Sequence, residues 1–370
     1  MNGKEIFKHM SPYKPGKQIE EVKKEFGLEK IVKLASNENP FGYSEKVKES
    51  IPNLIDHLEV YPDGYNTELR NTLAHKLGVT GEQLVFGCGS DEVVDIICRT
   101  YLESGTNTVM ATPTFPQYKH NALIQGAETR EVPLVDGYHN LEGMLKEVDK
   151  DTRVLWLCSP NNPTGCLVDE QGFEKIMNEC PSHVLVVVDE AYYEYITTKD
   201  APDSIKALDK YPNLVILRTF SKAYGLAGLR IGYGVSSKEI STLLNITRGP
   251  FNTTTIAQGS ALIALKDEQF LQDSISRNTK NKKEFIDFCN ELGLTTYDSQ
   301  TNFVFVKLPS NVSGDEVFEF LLSKGYIVRS GEALGHPNGV RITIGAQSDM
   351  TVLQQLLSSY LAPLKEENKK

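Results

Sequence analysis

Apolar residues gather in short runs along the chain: Leu84-Val85-Phe86, Thr108-Val109-Met110-Ala111, Val154-Leu155-Trp156-Leu157, residues 184–188, residues 214–217 and Ile231-Gly232-Tyr233. Each run ends in a polar or glycine-rich cluster. Short runs without alternation predict strands buried on both faces of a mostly parallel sheet. The segments between them carry helical spacing. In residues 91–101, Val93, Val94, Ile96, Ile97 and Tyr101 share roughly one helical face, and the acidic Asp91 and Glu92 open the first turn, where the helix dipole favours them. Residues 173–177 repeat the pattern over a shorter stretch. The alternation β–α–β–α predicts an α/β fold.

From about Asp267 the texture changes. A long, charged, helix-compatible stretch without glycine or proline runs through Cys289. After it come a predicted strand at 301–308, a helix at 316–322, a strand at 340–344 and a closing helix at 350–361. We read residues 36–266 as a large domain and 267–370 as a smaller α+β domain. Residues 1–35, rich in Lys, Pro and Gly, read as an arm that belongs with the smaller domain and not as a core element. A chain of 370 residues exceeds one ordinary domain of about 100–200 residues.

Charge narrows the partners. Lys+Arg of 39 against Asp+Glu of 49 gives a net charge of −10, which disfavours nucleic acid or an anionic membrane, since both reward a basic face. No run approaches the ~18 apolar residues of a membrane span, and the six cysteines form no C-x-x-C pair. The composition predicts a cytoplasmic protein with reduced thiols. The seven histidines show no metal spacing, so no metal site is predicted and most are expected at the surface.

In a parallel α/β sheet, ligands sit beyond the carboxyl ends of the strands, so the residues just past the end of each run carry the chemistry. The clusters are Gly87-Cys88-Gly89-Ser90-Asp91; Pro113-Thr114-Phe115-Pro116-Gln117-Tyr118; Ser159-Pro160-Asn161-Asn162-Pro163-Thr164-Gly165; Asp189-Glu190-Ala191-Tyr192; and Arg218-Thr219-Phe220-Ser221-Lys222-Ala223-Tyr224-Gly225, leading to Arg230. Together they offer an anion cradle, an aromatic ring, an amide, a carboxylate with a phenol, and a lysine with hydroxyls and a guanidinium. A planar, phosphorylated aldehyde with a cationic ring needs these groups. The first cluster is a near miss to the dinucleotide G-x-G-x-x-G fingerprint, with Glu92 in place of the last glycine, and a lone G-x-G does not carry that reading.

The last three clusters in this order, with Ser11-Pro12-Tyr13-Lys14-Pro15-Gly16, Leu34-Ala35-Ser36-Asn37-Glu38-Asn39-Pro40 and Val340-Arg341-Ile342-Thr343-Ile344-Gly345, resemble the fold-type I pyridoxal-phosphate aminotransferases over essentially the whole chain. The resemblance implies a large domain with a mostly parallel central sheet, a smaller α+β domain, pyridoxal 5'-phosphate as cofactor, and a homodimer. It is nearest the branch that exchanges the amine of histidinol phosphate with 2-oxoglutarate and glutamate. Aromatic amino-acid or phenylpyruvate transamination, alone or as a second activity, and threonine-phosphate decarboxylation are the alternatives within the fold. A non-catalytic regulator is a poor fit, since too little chain precedes the first motif for a DNA-binding module.

The resemblance also assigns roles. Lys222 bonds the cofactor and moves the substrate proton; the alternative is an exposed helix lysine. Asp189 pairs the cofactor ring nitrogen, and a carboxylate ending the most apolar run does need a partner; a helix N-cap is the alternative. Tyr192 and Asn162 hold the phenolic oxygen, although an asparagine before Pro163 also suits a turn. Gly89, Ser90, Asp91, Thr219, Ser221 and Arg230 form the phosphate cup, with a structural ion pair as the alternative for Arg230. Phe115 stacks on the ring or is simply core. Tyr61 reaches the neighbouring subunit's phosphate or is a turn tyrosine. Arg329 and Arg341 take the substrate phosphate, a dianion suited to two guanidinium forks, and Tyr13 and Asn37 line the same pocket. Lys222, Asp189 and Tyr192 form the catalytic group.

Overall fold

The computed structural model describes residues 3–12 and 16–367. A seven-stranded sheet organises the larger part. Numbered in chain order, its strands are β1 (Leu84–Gly87), β2 (Asn107–Thr112), β3 (Glu128–Pro133), β4 (Thr152–Cys158), β5 (Leu185–Asp189), β6 (Leu214–Thr219) and β7 (Gly232–Ser236). The spatial order is β1-β7-β6-β5-β4-β2-β3. Every pairing is parallel except those of β7, which runs against both β1 and β6.

The uninterrupted apolar runs result from burial on two sides. Phe86, Val109, Leu155, Leu157, Val186, Val188 and Ile216 face one hydrophobic layer. Val85, Met110, Val154, Trp156, Val187, Val215 and Leu217 face the other. The period-2 alternation of a strand therefore finds an apolar neighbour either way. Because β1 pairs with β7 and β7 with β6, both in antiparallel fashion, β1 ends on the same edge as the parallel strands. Gly87, Gly232 and Thr219 stand in one row there.

The carboxyl-terminal part builds a four-stranded antiparallel sheet in the order Arg329–Ser330, Gly339–Thr343, Phe303–Lys307, Thr295–Thr296. The helices Glu268–Glu291, Gly314–Ser323 and Gln347–Glu367 join it around a core of Phe285, Val304, Val306, Val340, Ile342, Leu353 and Leu357.

Two features depart from the sequence reading. The amino-terminal segment is not merely an arm. Its helix Ile19–Phe26 buries Val22 completely, and its strand Val32–Lys33 pairs in parallel with Tyr326–Ile327. Val32 and Leu34 lie in the carboxyl-terminal core. Strand β3, with the sequence ETREVP, escapes a search for apolar runs because it is a sheet edge with only Val132 buried, and edges are commonly charged. Most histidines lie at or near the surface as expected, with His139 the buried exception; burial pushes its pKa down to about 4. Among the described residues no helix is long and apolar enough to cross a membrane.

Candidate active site

A cavity of about 890 Å³ opens where the carboxyl edge of the large sheet meets the carboxyl-terminal part. Gly89, Ser90, Asp91, Phe115, Asn162, Asp189, Tyr192, Thr219, Ser221, Lys222 and Arg230 line it from the larger part, and Asn37, Arg329 and Arg341 from the other side. Tyr61 does not line it. That side chain is 79% exposed and stacks on Phe251 with ring centroids 4.8 Å apart. Tyr13 lies outside the described residues.

Asp189 is the last residue of β5 and is 4% exposed. Its Oδ2 accepts the Tyr118 hydroxyl at 2.6 Å, and its Oδ1 accepts the Ala191 N–H at 3.2 Å. Burial pushes its pKa up to about 6 against the opposing pull of the Tyr118 bond. A carboxylate kept there calls for a cationic partner in the cavity.

Lys222 lies just beyond β6. Its Nζ donates to the Ser36 carbonyl at 3.1 Å and lies 5.7 Å from the centre of the Tyr192 ring. Burial of the amine, and then the positive charge of Arg341, lowers its pKa to about 8. Both effects favour the neutral, nucleophilic amine.

The predicted anion cradle coincides with the amino terminus of the helix Ser90–Tyr101, where free N–H groups and the dipole favour negative charge. Gly89 has φ +80, and a Cβ on it would lie 2.5 Å from Nη2 of Arg230. Gly232 lets the helix start come close, since a Cβ there would collide with the Ser90 backbone nitrogen. Arg230 itself adopts the left-handed conformation, φ +56. Its Nη1 donates to the Ala227 carbonyl at 3.1 Å and to Ser221 Oγ at 3.4 Å, and its Nη2 to the Cys88 carbonyl at 3.4 Å. Asp91 lies 3.8 Å from Nη2, a loose contact between half-exposed groups that contributes little. Thr219 Oγ1 accepts the Ser221 N–H at 3.1 Å, fixing the turn that presents Lys222.

The opposite wall is built on the small sheet. Arg341 is 5% exposed. Its Nη1 donates to Asn162 Oδ1 at 2.6 Å and its Nη2 to the Ala35 carbonyl at 2.5 Å. Arg329 stands directly opposite it in the antiparallel register. Asn37, with φ +55, donates from Nδ2 to the Tyr192 hydroxyl at 2.8 Å. It is tied to the small sheet by its own N–H donating to Thr343 Oγ1 at 3.0 Å.

Two residues matter here beyond those singled out by sequence. Tyr118 binds Asp189, and Thr343 holds Asn37. The first sits three positions after Phe115 at the start of a helix, the one local signal that could have marked it. The second carries no signal, because its role exists only once distant segments meet.

The donor set suits a pyridoxal phosphate: a buried acid short of a cation, a lysine of depressed pKa, and a glycine-lined helix start beside an arginine. Residues 29–359 match the family model for aminotransferase class I and II. The chain belongs to this family, whose members depend on pyridoxal phosphate. It is 54% identical to the histidinol-phosphate aminotransferase of Geobacillus thermodenitrificans over 98% of both chains. With that of Anoxybacillus flavithermus it shares 53% identity over 96% of both. Among solved structures, the histidinol-phosphate aminotransferase of Sinorhizobium meliloti in complex with pyridoxal-5'-phosphate is 26% identical, covers 98% of each chain and superposes with a TM-score of 0.88.

Proposed function

We propose that the protein exchanges an amino group between L-histidinol phosphate and 2-oxoglutarate, interconverting them with imidazole acetol phosphate and L-glutamate, a step of histidine biosynthesis. The observation that carries the substrate reading is the Arg329–Arg341 pair. Two guanidinium groups in direct cross-strand register line the cavity that also contains Lys222, a pairing matched to a phosphate dianion. The relatives that are about half identical support the same substrate.

When bound, pyridoxal phosphate supplies the aldehyde that takes up the amine and the ring that draws electrons from the substrate carbon. The chain's own residues do the rest. Lys222 holds the cofactor and then carries the proton to and from the carbon that bears the amine. Asp189 keeps the ring nitrogen protonated. Asn162, its Oδ1 committed to Arg341, presents its NH₂ to the phenolic oxygen, and Tyr192 donates to the same atom while Asn37 fixes its ring. Phe115 covers the ring face. Gly89, Ser90, Asp91, Thr219, Ser221 and Arg230 hold the cofactor phosphate.

The active unit is a homodimer in which Tyr61 enters the neighbouring site. Support comes from the exposed apolar side chains of Leu58, Val60, Tyr61, Tyr65, Ile246 and Phe251, a density that suits contact with a second copy. Residues 36–266 form one unit, and 267–370 with residues 1–35 the other, a division supported by Val32 and Leu34 packing with Phe285 and Ile342. A cytoplasmic location is supported by the free cysteines, among them the buried Cys98, Cys158 and Cys289.

Turnover with 2-oxoglutarate is the test. Histidinol phosphate should be used far better than phenylalanine, and phosphothreonine should release no carbon dioxide. A wide preference for phenylalanine overturns the substrate reading.

A further inference from the structure

Tyr118 is 0% exposed, so its hydroxyl must find a partner inside the protein. That partner is Asp189 Oδ2, at 2.6 Å, within the ~2.5–2.7 Å range of a hydroxyl bound to an ionised carboxylate. The phenol cannot swing away. Its ring stacks on Trp156 with centroids 4.6 Å apart and planes 11° from parallel. Trp156 is pinned in turn by its Nε1–H, which donates to Thr108 Oγ1 at 2.8 Å, and Thr108 donates to the Val154 carbonyl at 2.7 Å. On the other side Phe115 meets Tyr118 edge-on at 5.4 Å and 75°.

We propose that Tyr118 is a positioning residue that fixes the rotation of the Asp189 carboxylate and keeps it ionised, so that the acid is preset for the cofactor ring nitrogen. The inference rests on the pyridoxal-phosphate reading above. One residue thereby ties the aromatic wall of the cavity to the acid at its floor.

The other groups facing Asp189 do not replace this bond. Asp91 and Glu190 raise its pKa by like charge. Glu190 is itself committed to Arg218 at 2.8 Å. The Cys158 thiol is pushed up to about 12 by burial and stays neutral, as does the Tyr192 phenol, which burial also raises. The Ala191 N–H at 3.2 Å is the longer of the two hydrogen bonds to the carboxylate.

The experiment is titration of cofactor-free protein with pyridoxal 5'-phosphate across pH, monitored by fluorescence. Tyr118→Phe keeps the stacked ring and removes only the hydroxyl; its melting profile is checked first. Affinity near pH 7.5 should fall about tenfold, the effect of one hydrogen bond to a charged group. The acid-side midpoint of binding should rise by about one pH unit. In an Asp189→Ala background the same substitution should change affinity less than about threefold. Asp189→Asn should reduce the acid limb to the part set by Lys222, whose pKa burial lowers to about 8, a reading independent of how well Tyr118→Phe folds. An unchanged affinity and midpoint in Tyr118→Phe, an equal loss in the Asp189→Ala background, or an acid limb in Asp189→Asn identical to that of wild type would each overturn the proposal. Wild-type protein that fails to bind pyridoxal phosphate overturns the cofactor reading itself, a distinct result.

Discussion

Burial pushes Lys222 and Asp189 in opposite directions, and each shift has a consequence for stability. The Lys222 amine falls from 10.5 to about 8. Between those values the unfolded chain holds a proton that the folded cofactor-free protein has released, so its stability rises with pH across that window. Lys222→Met removes the buried charge. Its gain over wild type should be greatest below pH 8 and shrink as pH climbs toward 10.5, measured by urea unfolding of cofactor-free protein; a pH-independent difference would contradict the assignment. The same variant should lack transaminase activity and the visible absorption of bound cofactor. Asp189, raised from 3.8 to about 6, has the reverse sign: the folded state keeps its proton longer, so its contribution worsens as pH rises through that interval. At this scale, residues whose chemistry dictates their type, such as Lys222, Asp189 and Arg230, were legible from the chain alone. Tyr118 and Thr343 were not, since a tyrosine and a threonine have many ordinary uses and only the fold gives them Asp189 and Asn37 as partners.

Among the elements, the decisive contact is between strand β7 and the start of the helix Ser90–Tyr101. Gly232 lies between Gly87 and Thr219 in the sheet, and any side chain there meets the Ser90 backbone. Gly232→Ala should displace the anion cradle, weakening pyridoxal phosphate binding by at least tenfold while leaving the circular dichroism spectrum near that of wild type; equal affinity would show that the cradle can shift without cost. Elements buried on two faces announce themselves in sequence, which is why β2, β4, β5 and β6 could be read. Two-residue strands such as Val32–Lys33 and Arg329–Ser330 are too short to carry a pattern, and β3 is a charged edge. The amino-terminal segment misleads because its buried apolar residues, Val22, Val32, Leu34 and Ala35, are spread among many lysines and glutamates.

At the scale of the whole molecule, the proposed dimer makes each site depend on two chains. Homodimers of Lys222→Ala and of Tyr61→Ala should both be impaired. Mixed and allowed to exchange subunits, they should recover activity, because one of the two sites in a mixed dimer receives an intact lysine and an intact tyrosine. Equal mixing should restore roughly a quarter of the wild-type sites, with no gain on mixing if Tyr61 serves only its own chain. The cavity is likewise closed from two sides of one chain, by the large sheet and by the hairpin carrying Arg329 and Arg341. Arg329 and Arg341 are register partners on adjacent strands, a placement in which like charges disfavour each other. A doubly negative ligand bound between two such cations would offset that repulsion, so its binding should hold the hairpin more firmly.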